Sequence, residues 1–336
     1  MRRVMVIGLL LAVPFAGAAD EEVNIYSHRH YDSDRVLFER FTQLTGTKVN
    51  VVKASADQLI KRLEIEGDQS PADLLITVDA GRLCRAEDNG LLQPVKSETL
   101  EAQVPEHLRD PEGHWYGLTI RARVIVYAKD RVKPDQLSTY EALAEPPWKG
   151  KVLVRSAQNI YNQSLMASMI IAHGGDGAQA WAEGLVRNFA RTPKGNDRDQ
   201  VKAIAGGVGD VAIVNTYYIG KLLGSDDEAE RRAGSAVEIF FPNQKDRGAH
   251  INISGAGVTR SSKNVANAVA LLEFLTGPDA QQALAKANSE YPVNPQVEEP
   301  PLLKSWGAFK ADTIHLSLLG KHNSEAVKIF AQSGWR

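Results

Sequence analysis

The sequence predicts an α/β protein built as two lobes, and three observations lead there. Strand and helix patterns alternate from the start of the globular region, the chain has 336 residues, and one strand pattern is long enough to leave one lobe and enter another. A single core stops growing near ~250–300 residues, so two domains are the expectation.

The globular region starts near Asp20. Residues 1–19, MRRVMVIGLLLAVPFAGAA, have the form of a secretory leader: Arg2 and Arg3, an apolar run from Val4 to Phe15, and the small residues Ala16-Gly17-Ala18-Ala19 at a cleavage site. That run is shorter than the ~20 residues of a membrane span and no second one follows, so the mature protein is expected to be soluble and outside the cytoplasm. The formal charge of −2 becomes about −4 once Arg2 and Arg3 leave with the leader, which excludes a strongly basic nucleic-acid binder. The single cysteine, Cys84, forms no internal disulfide and reads as a small half-buried helix residue.

Each element follows from local pattern. EEVNIYSHRHYDSD gives a short strand at Val23 and Ile25 and then a polar loop, and RVLFERFTQLTG places apolar residues at helical spacing before a glycine stop. VNVVKA (49–54) is a second strand, and Ser55 to Glu66 a helix with Ser55 and Gln58 at capping-box spacing. ADLLITVDA (72–80) is apolar enough for a strand covered on both faces. WYGLTIRARVIVYAKDRV (115–132) is the long strand, with Arg121 and Arg123 at alternate positions on one face. STYEALAEPPWKGKVLV then predicts a helix, a Pro-Pro turn and a strand at 151–155. NQSLMASMIIAHGG and GAQAWAEGLVRNFA read as helices broken at Gly174-Gly175, and AGGVGDVAIVNTYY as a turn, a buried strand and a tyrosine pair. VEIFFPNQ and HINISGAGVTR (250–260) are later strands, the second carrying the chain back, and NVANAVALLEFLTGPDAQQALAKA is a helix pair parted at Gly277-Pro278.

Two lobes make a cleft, and ligand-binding residues belong on the strand-end loops that face it. Tyr31, Tyr161 and the pair Tyr217-Tyr218 all follow strands. Singly, a tyrosine is an ordinary amphipathic wall residue. An adjacent pair at a strand-to-helix junction can instead tip both phenols toward the strand end. A highly charged cation stabilises phenolate, and an anionic oxygen is a hard ligand, so Fe(III) fits better than Zn(II) or Cu(I). SHRHYDSD adds His28 and His30; H-x-H alone is weak, and His30 beside Tyr31 is the better pair for an oxygen-rich site. No G-x-S-x-G occurs, and the glycines of AGGVGD and SGAGV lack the Walker or dinucleotide spacing.

The segments VNIYSHRHYDSD, SPADLLITVDAGRLCRAEDNGLLQPV, WYGLTIRARVIVYAKD, LSTYEALAEPPWKGKVLVRS, NIYNQS, NTYYIGKLL, FFPNQKDRGAHINISGAGV and NSEYPV together resemble the periplasmic ferric-iron-binding proteins of ABC uptake systems, most closely the Fut-type branch. The resemblance implies a two-lobed periplasmic binding-protein fold of the type II kind, with hinge crossings near residues 121 and 251. It divides the chain into residues 20–121 with 252–302 and residues 122–251 with 303–336. It implies Tyr217 and Tyr218 as paired iron ligands, Tyr31 and Tyr161 as two more, and His30 as a histidine ligand, in a monomer that serves an inner-membrane ABC permease and its ATPase. It implies no enzyme activity. The other branch uses a glutamate where this chain has Val78, and holds an exogenous anion such as carbonate near the arginine that aligns with Arg121. Four phenolates, a neutral imidazole and Fe(III) sum to −1, so a further anion is expected not to be obligatory, with Arg121 offsetting that charge. The alternative is a binding protein for a polyamine or organic anion, with the tyrosines as an aromatic wall.

Overall fold

The structure, a computed structural model, describes residues 21–29 and 31–336. The expected leader at 1–19 and the candidate ligand His30 lie outside the described residues. Among the described residues no helix is long and apolar enough to cross a membrane.

Strand β1 (Glu22–Ser27) leads into α1 (Asp32–Thr45), which ends where Gly46 turns left-handed at φ 80°. β2 (Lys48–Lys53) follows, and α2 (Ala56–Glu66) starts on the expected capping box between Ser55 and Gln58. β3 (Leu74–Val78) is buried at all five positions and passes into α3 (Ala80–Asp88), then α4 (Glu98–Gln103) and the long β4 (Tyr116–Ala128). The segment expected as a helix before Pro146-Pro147 forms two 3-10 turns instead, Glu141–Ala144 and Pro146–Trp148. The prolines arrive too soon for an α-helical ladder to establish itself.

β5 (Val152–Leu153) precedes α5 (Ile160–Arg187), in which Gly174 leaves helical geometry at φ 71°, ψ 172°, at the expected break. α6 (Asp197–Ala205), absent from the sequence expectations, starts on a capping box between Asn196 and Asp199. β6 (Val211–Asn215), α7 (Tyr217–Leu223), α8 (Glu228–Ser235), β7 (Val237–Phe240) and β8 (Ile251–Val258) follow. The chain finishes with α9 (Val265–Thr276), α10 (Pro278–Asn288), β9 (Tyr291–Pro292), α11 (Pro301–Ser305), α12 (Ser317–Lys321) and α13 (Asn323–Ser333).

The strand order is β2-β1-β3-β8-β4-β6-β5, with β7 and β9 also paired to β4. β1 lies parallel to β2 and β3, whereas β8 runs antiparallel to β3. β4 belongs to two groups of strands: Tyr116 to Ala122 pair with β8, and Arg123 to Tyr127 pair with β6. The strand that changes partners does so between Ala122 and Arg123, so both of the alternating arginines sit at the crossing. One apolar core gathers around β1, β3 and β8; a second gathers Ile125, Tyr140, Trp181, Phe330 and Trp335 between α5 and α13. The C-terminal segment touches both sides, because α13 packs on α5 while Gly320 of α12 sits against Cys84 of α3.

Cys84 is buried rather than half-buried, and its thiol faces the Ser317 carbonyl at 3.7 Å. A Cβ at position 320 would overlap the Cys84 side chain, so glycine there is what lets α12 lie so close. Burial, aided by Glu87 and Asp88, pushes the thiol pKa well up. A thiol-labelling time course should therefore show slow reaction in the native protein and fast reaction in denaturant; equal rates in both would contradict this packing.

Candidate metal centre

The tyrosines singled out by sequence converge where strand ends meet helix starts. Tyr31 is the residue before α1, in extended geometry at φ −78°, ψ 141°. Tyr161 lies in the first turn of α5, where its backbone N–H donates to the N-cap Asn159 at 3.2 Å. Tyr217 opens α7 at the end of β6, and the rings of Tyr217 and Tyr218 lie 4.2 Å apart at 30°. The Tyr161 and Tyr217 hydroxyls are 3.4 Å apart. A cavity of about 270 Å³ is lined by Tyr31, Tyr161, Tyr217 and Tyr218, with His28 and Val78. Position 78 thus faces the cavity with an apolar side chain, and the neighbouring Asp79 points away toward Ser164.

Against the phenol rings stand cations held by acids of the protein, two of them, Arg121 and Arg123, fully set behind the cavity. Arg121, 1% exposed, donates through Nη2 to Glu290 Oε1 at 2.6 Å and to the Ser254 hydroxyl, and its guanidinium carbon lies 5.5 Å from the centre of the Tyr217 ring. Arg123 donates to Asp197 at 3.0 Å and to Asn162 at 2.7 Å, and lies 5.8 Å from the Tyr161 ring centre. Arg155 flanks the same ring at 5.4 Å, and Arg29, paired with Asp34 and Glu290, lies 4.9 Å from that of Tyr31. Arg121 is therefore set behind the cavity and committed to Glu290 rather than presented to a bound anion.

Sequence reasoning missed the cations that do line the cavity: Arg29, Arg82, Arg155, Arg198 and Lys221. Lys221 was readable, since it stands four residues after Tyr217 on the same helix; its ammonium lies 4.0 Å from the centre of the Tyr31 ring. Arg198 belongs to the overlooked α6. No carboxylate lines this cavity among the described residues. These cations offset the −1 of four phenolates, a neutral imidazole and Fe(III), so an added anion meets no net negative wall.

Burial is the main cause that raises the phenol pKa values of Tyr31, Tyr217 and Tyr218, reinforced at Tyr217 by the other phenols and at Tyr31 by Glu290. Burial opposes the charge of Glu290, but Arg121 and Arg29 hold its carboxyl below the usual range. Burial, with Arg198, Arg29 and Arg121, draws Lys221 down to about 8 against the pull of Glu290. The free protein thus holds neutral phenols next to cations. The phenol donors become anionic only when something replaces their protons.

Two strand groups joined through β4, with convergent side chains at the strand ends, are the architecture of a cleft-type binding protein. Comparison with known proteins identifies the class: residues 69–310 match the bacterial extracellular solute-binding protein family, and the chain belongs to that family. It is 50% identical to iron uptake protein A1 of Synechocystis over 316 residues, covering 94% of this chain and 88% of that one. It superposes with a TM-score of 0.92 on a Trichodesmium FutA in complex with iron and citrate, at 48% identity over 94% of this chain and all of the other. A Campylobacter jejuni ferric binding protein matches with a TM-score of 0.89 at 43% identity, covering 94% of this chain and 100% of that one. These relatives are solute-binding transport proteins.

One glycine controls how closely the site packs. Gly220, one turn into α7, faces Ser289 after α10, and a Cβ there would overlap that side chain. Gly220→Ala should disfavour this arrangement by about 1–3 kcal/mol, the usual range for overpacking. Small-angle scattering should read it as a more extended molecule; unchanged dimensions would contradict the close contact.

Proposed function

We propose that this chain captures Fe(III) in the cleft through Tyr31, Tyr161, Tyr217 and Tyr218, with His30 as a further ligand, and delivers it to an ABC permease of the inner membrane. The protein acts by binding and shape change, as a periplasmic monomer after removal of residues 1–19. Its lobes would be residues 20–121 with 252–302 and residues 122–251 with 303–336. The observation that carries the reading is the convergence of four phenols on one cavity free of carboxylates among the described residues. Phenolate oxygen is a hard donor and suits a hard, highly charged cation. The relatives named for ferric iron support the same cargo.

The residues divide the work. Tyr31 comes from the first strand group, and Tyr161, Tyr217 and Tyr218 come from the other side of the crossing, so metal bound by all four ties the two sides together. The guanidinium groups of Arg29, Arg121, Arg123 and Arg155 stand against these rings and offset phenolate charge as it forms. Cationic lining counts against a polyamine and leaves room for an organic anion that arrives as a chelator of the iron.

Apo-protein mixed with ferric citrate should develop a red to purple phenolate-to-iron charge-transfer band. Tyr217→Phe and Tyr218→Phe should weaken it stepwise, each lowering affinity by more than the ~10–100-fold that loss of an outer partner costs. A colourless protein of unchanged thermal stability would favour the aromatic-wall alternative.

The pH dependence has a definite sign. The buried phenols of Tyr31, Tyr217 and Tyr218 are protonated in the free protein and must lose those protons to ligate, so the loaded form binds fewer protons. Affinity measured by competition with a chelator of known pH behaviour should rise with pH and fall on acidification. An affinity independent of pH after that correction would contradict phenolate ligation.

A further inference from the structure

Asp79 joins β3 to α3 in a conformation that side chains rarely adopt, φ 80° and ψ 124°. Strain of this kind persists only where surrounding contacts over-determine it. Two side-chain bonds hold this residue: Oδ1 accepts from the Gly81 N–H at 3.0 Å, capping α3, and from the Ser164 hydroxyl at 2.6 Å. The backbone N–H of Asp79 donates to Ile253 of β8 at 2.8 Å. The carboxylate is 0% exposed, and its second oxygen has no hydrogen-bond partner among the described residues. An acid so placed is costly unless the bonds it does make serve a purpose.

The bond to Ser164 spans the molecule. Asp79 follows Val78, which lines the cavity, on the β1–β3–β8 side of the crossing, while Ser164 lies on α5 one turn beyond Tyr161. Ser164 is itself 1% exposed, and Gly81 is set so that even an added Cβ would lie only 3.6 Å from the Ser164 hydroxyl. Separation of the two sides would break this bond and admit water to the buried carboxylate.

We propose that Asp79 and Ser164 are a latch that holds the cleft shut over its cargo and keeps Tyr161 registered against Val78. This rests on the iron-capture reading. Both are positioning residues: neither lines the cavity, and each acts through the helix start or strand end that does. The latch sets how fast bound iron escapes, not which atoms hold it.

The test compares the full-length mature protein with Ser164→Ala, with Asp79→Gly, which removes the acceptor at a φ of 80° that glycine adopts freely, and with the double variant, loaded with ferric citrate and released into excess EDTA. Each single variant should keep the wild-type charge-transfer band and release iron about tenfold faster, the scale of a lost hydrogen bond to a charged group. The double variant should be no faster than the faster single one, because both changes remove one interaction. Apo-protein melting serves as the control, since general destabilisation would move it along with release. Wild-type release from Ser164→Ala, or additive effects in the double variant, would overturn the latch. A wild type without the band would overturn the iron reading instead. The latch is then decided by scattering from the unliganded proteins, where Ser164→Ala must be more extended than wild type and equal dimensions refute it.

Discussion

The site depends on charges that the fold has buried and cannot leave alone. β4 crosses from one strand group to the other carrying Arg121 and Arg123, both nearly inaccessible, and each is matched by a fully buried acid, Glu290 or Asp197. Removing one partner of such a pair typically costs ~3–5 kcal/mol, because the other charge is left stranded. That constraint fixes the rest. Glu290 also takes Thr119 at 2.8 Å and reaches Arg29 at 3.5 Å, tying the Tyr31 loop to the crossing strand, while Asp197 binds the Asn215 N–H at 2.9 Å two residues before Tyr217. The ion pairs thus serve as a frame on which three of the four phenols are mounted.

The same frame gives the site its chemical character. Guanidinium groups behind the rings favour phenolate, whereas burial and the crowding of one phenol by another oppose it. A set of neutral phenols that turns anionic only against a strongly charged cation discriminates by charge as well as by donor hardness. The lining cations extend this outward, since Arg82, Arg198 and Lys221 face the cavity.

Much of this was legible in the sequence, for reasons that can be named. The Ser55–Gln58 capping box, the glycine after α1 and the break at Gly174 are local signals, and the structure reproduces them where local physics places them. The tyrosine pair was readable because a strand-to-helix junction is one of the few places where adjacent side chains share a direction. The helix expected before Pro146 failed because proline spacing outweighed composition, and α6 was overlooked despite its own capping box. Charge partners were harder to see: Arg121 and Glu290 stand 169 positions apart in sequence, and Arg123 and Asp197 stand 74 apart, so only tertiary folding brings them together. For the same reason Arg121 read as the group that offsets phenolate charge, while its buried partner Glu290 went unseen.

The most direct test of the account is resonance Raman spectroscopy of the iron-loaded protein grown with ring-deuterated tyrosine. Phenolate bound to Fe(III) should give enhanced tyrosinate ring modes that shift on deuteration, and these should survive exchange of citrate for another chelator. A loaded protein whose enhanced modes belong to the chelator alone, unmoved by tyrosine labelling, would show that the four phenols only surround the metal and do not hold it.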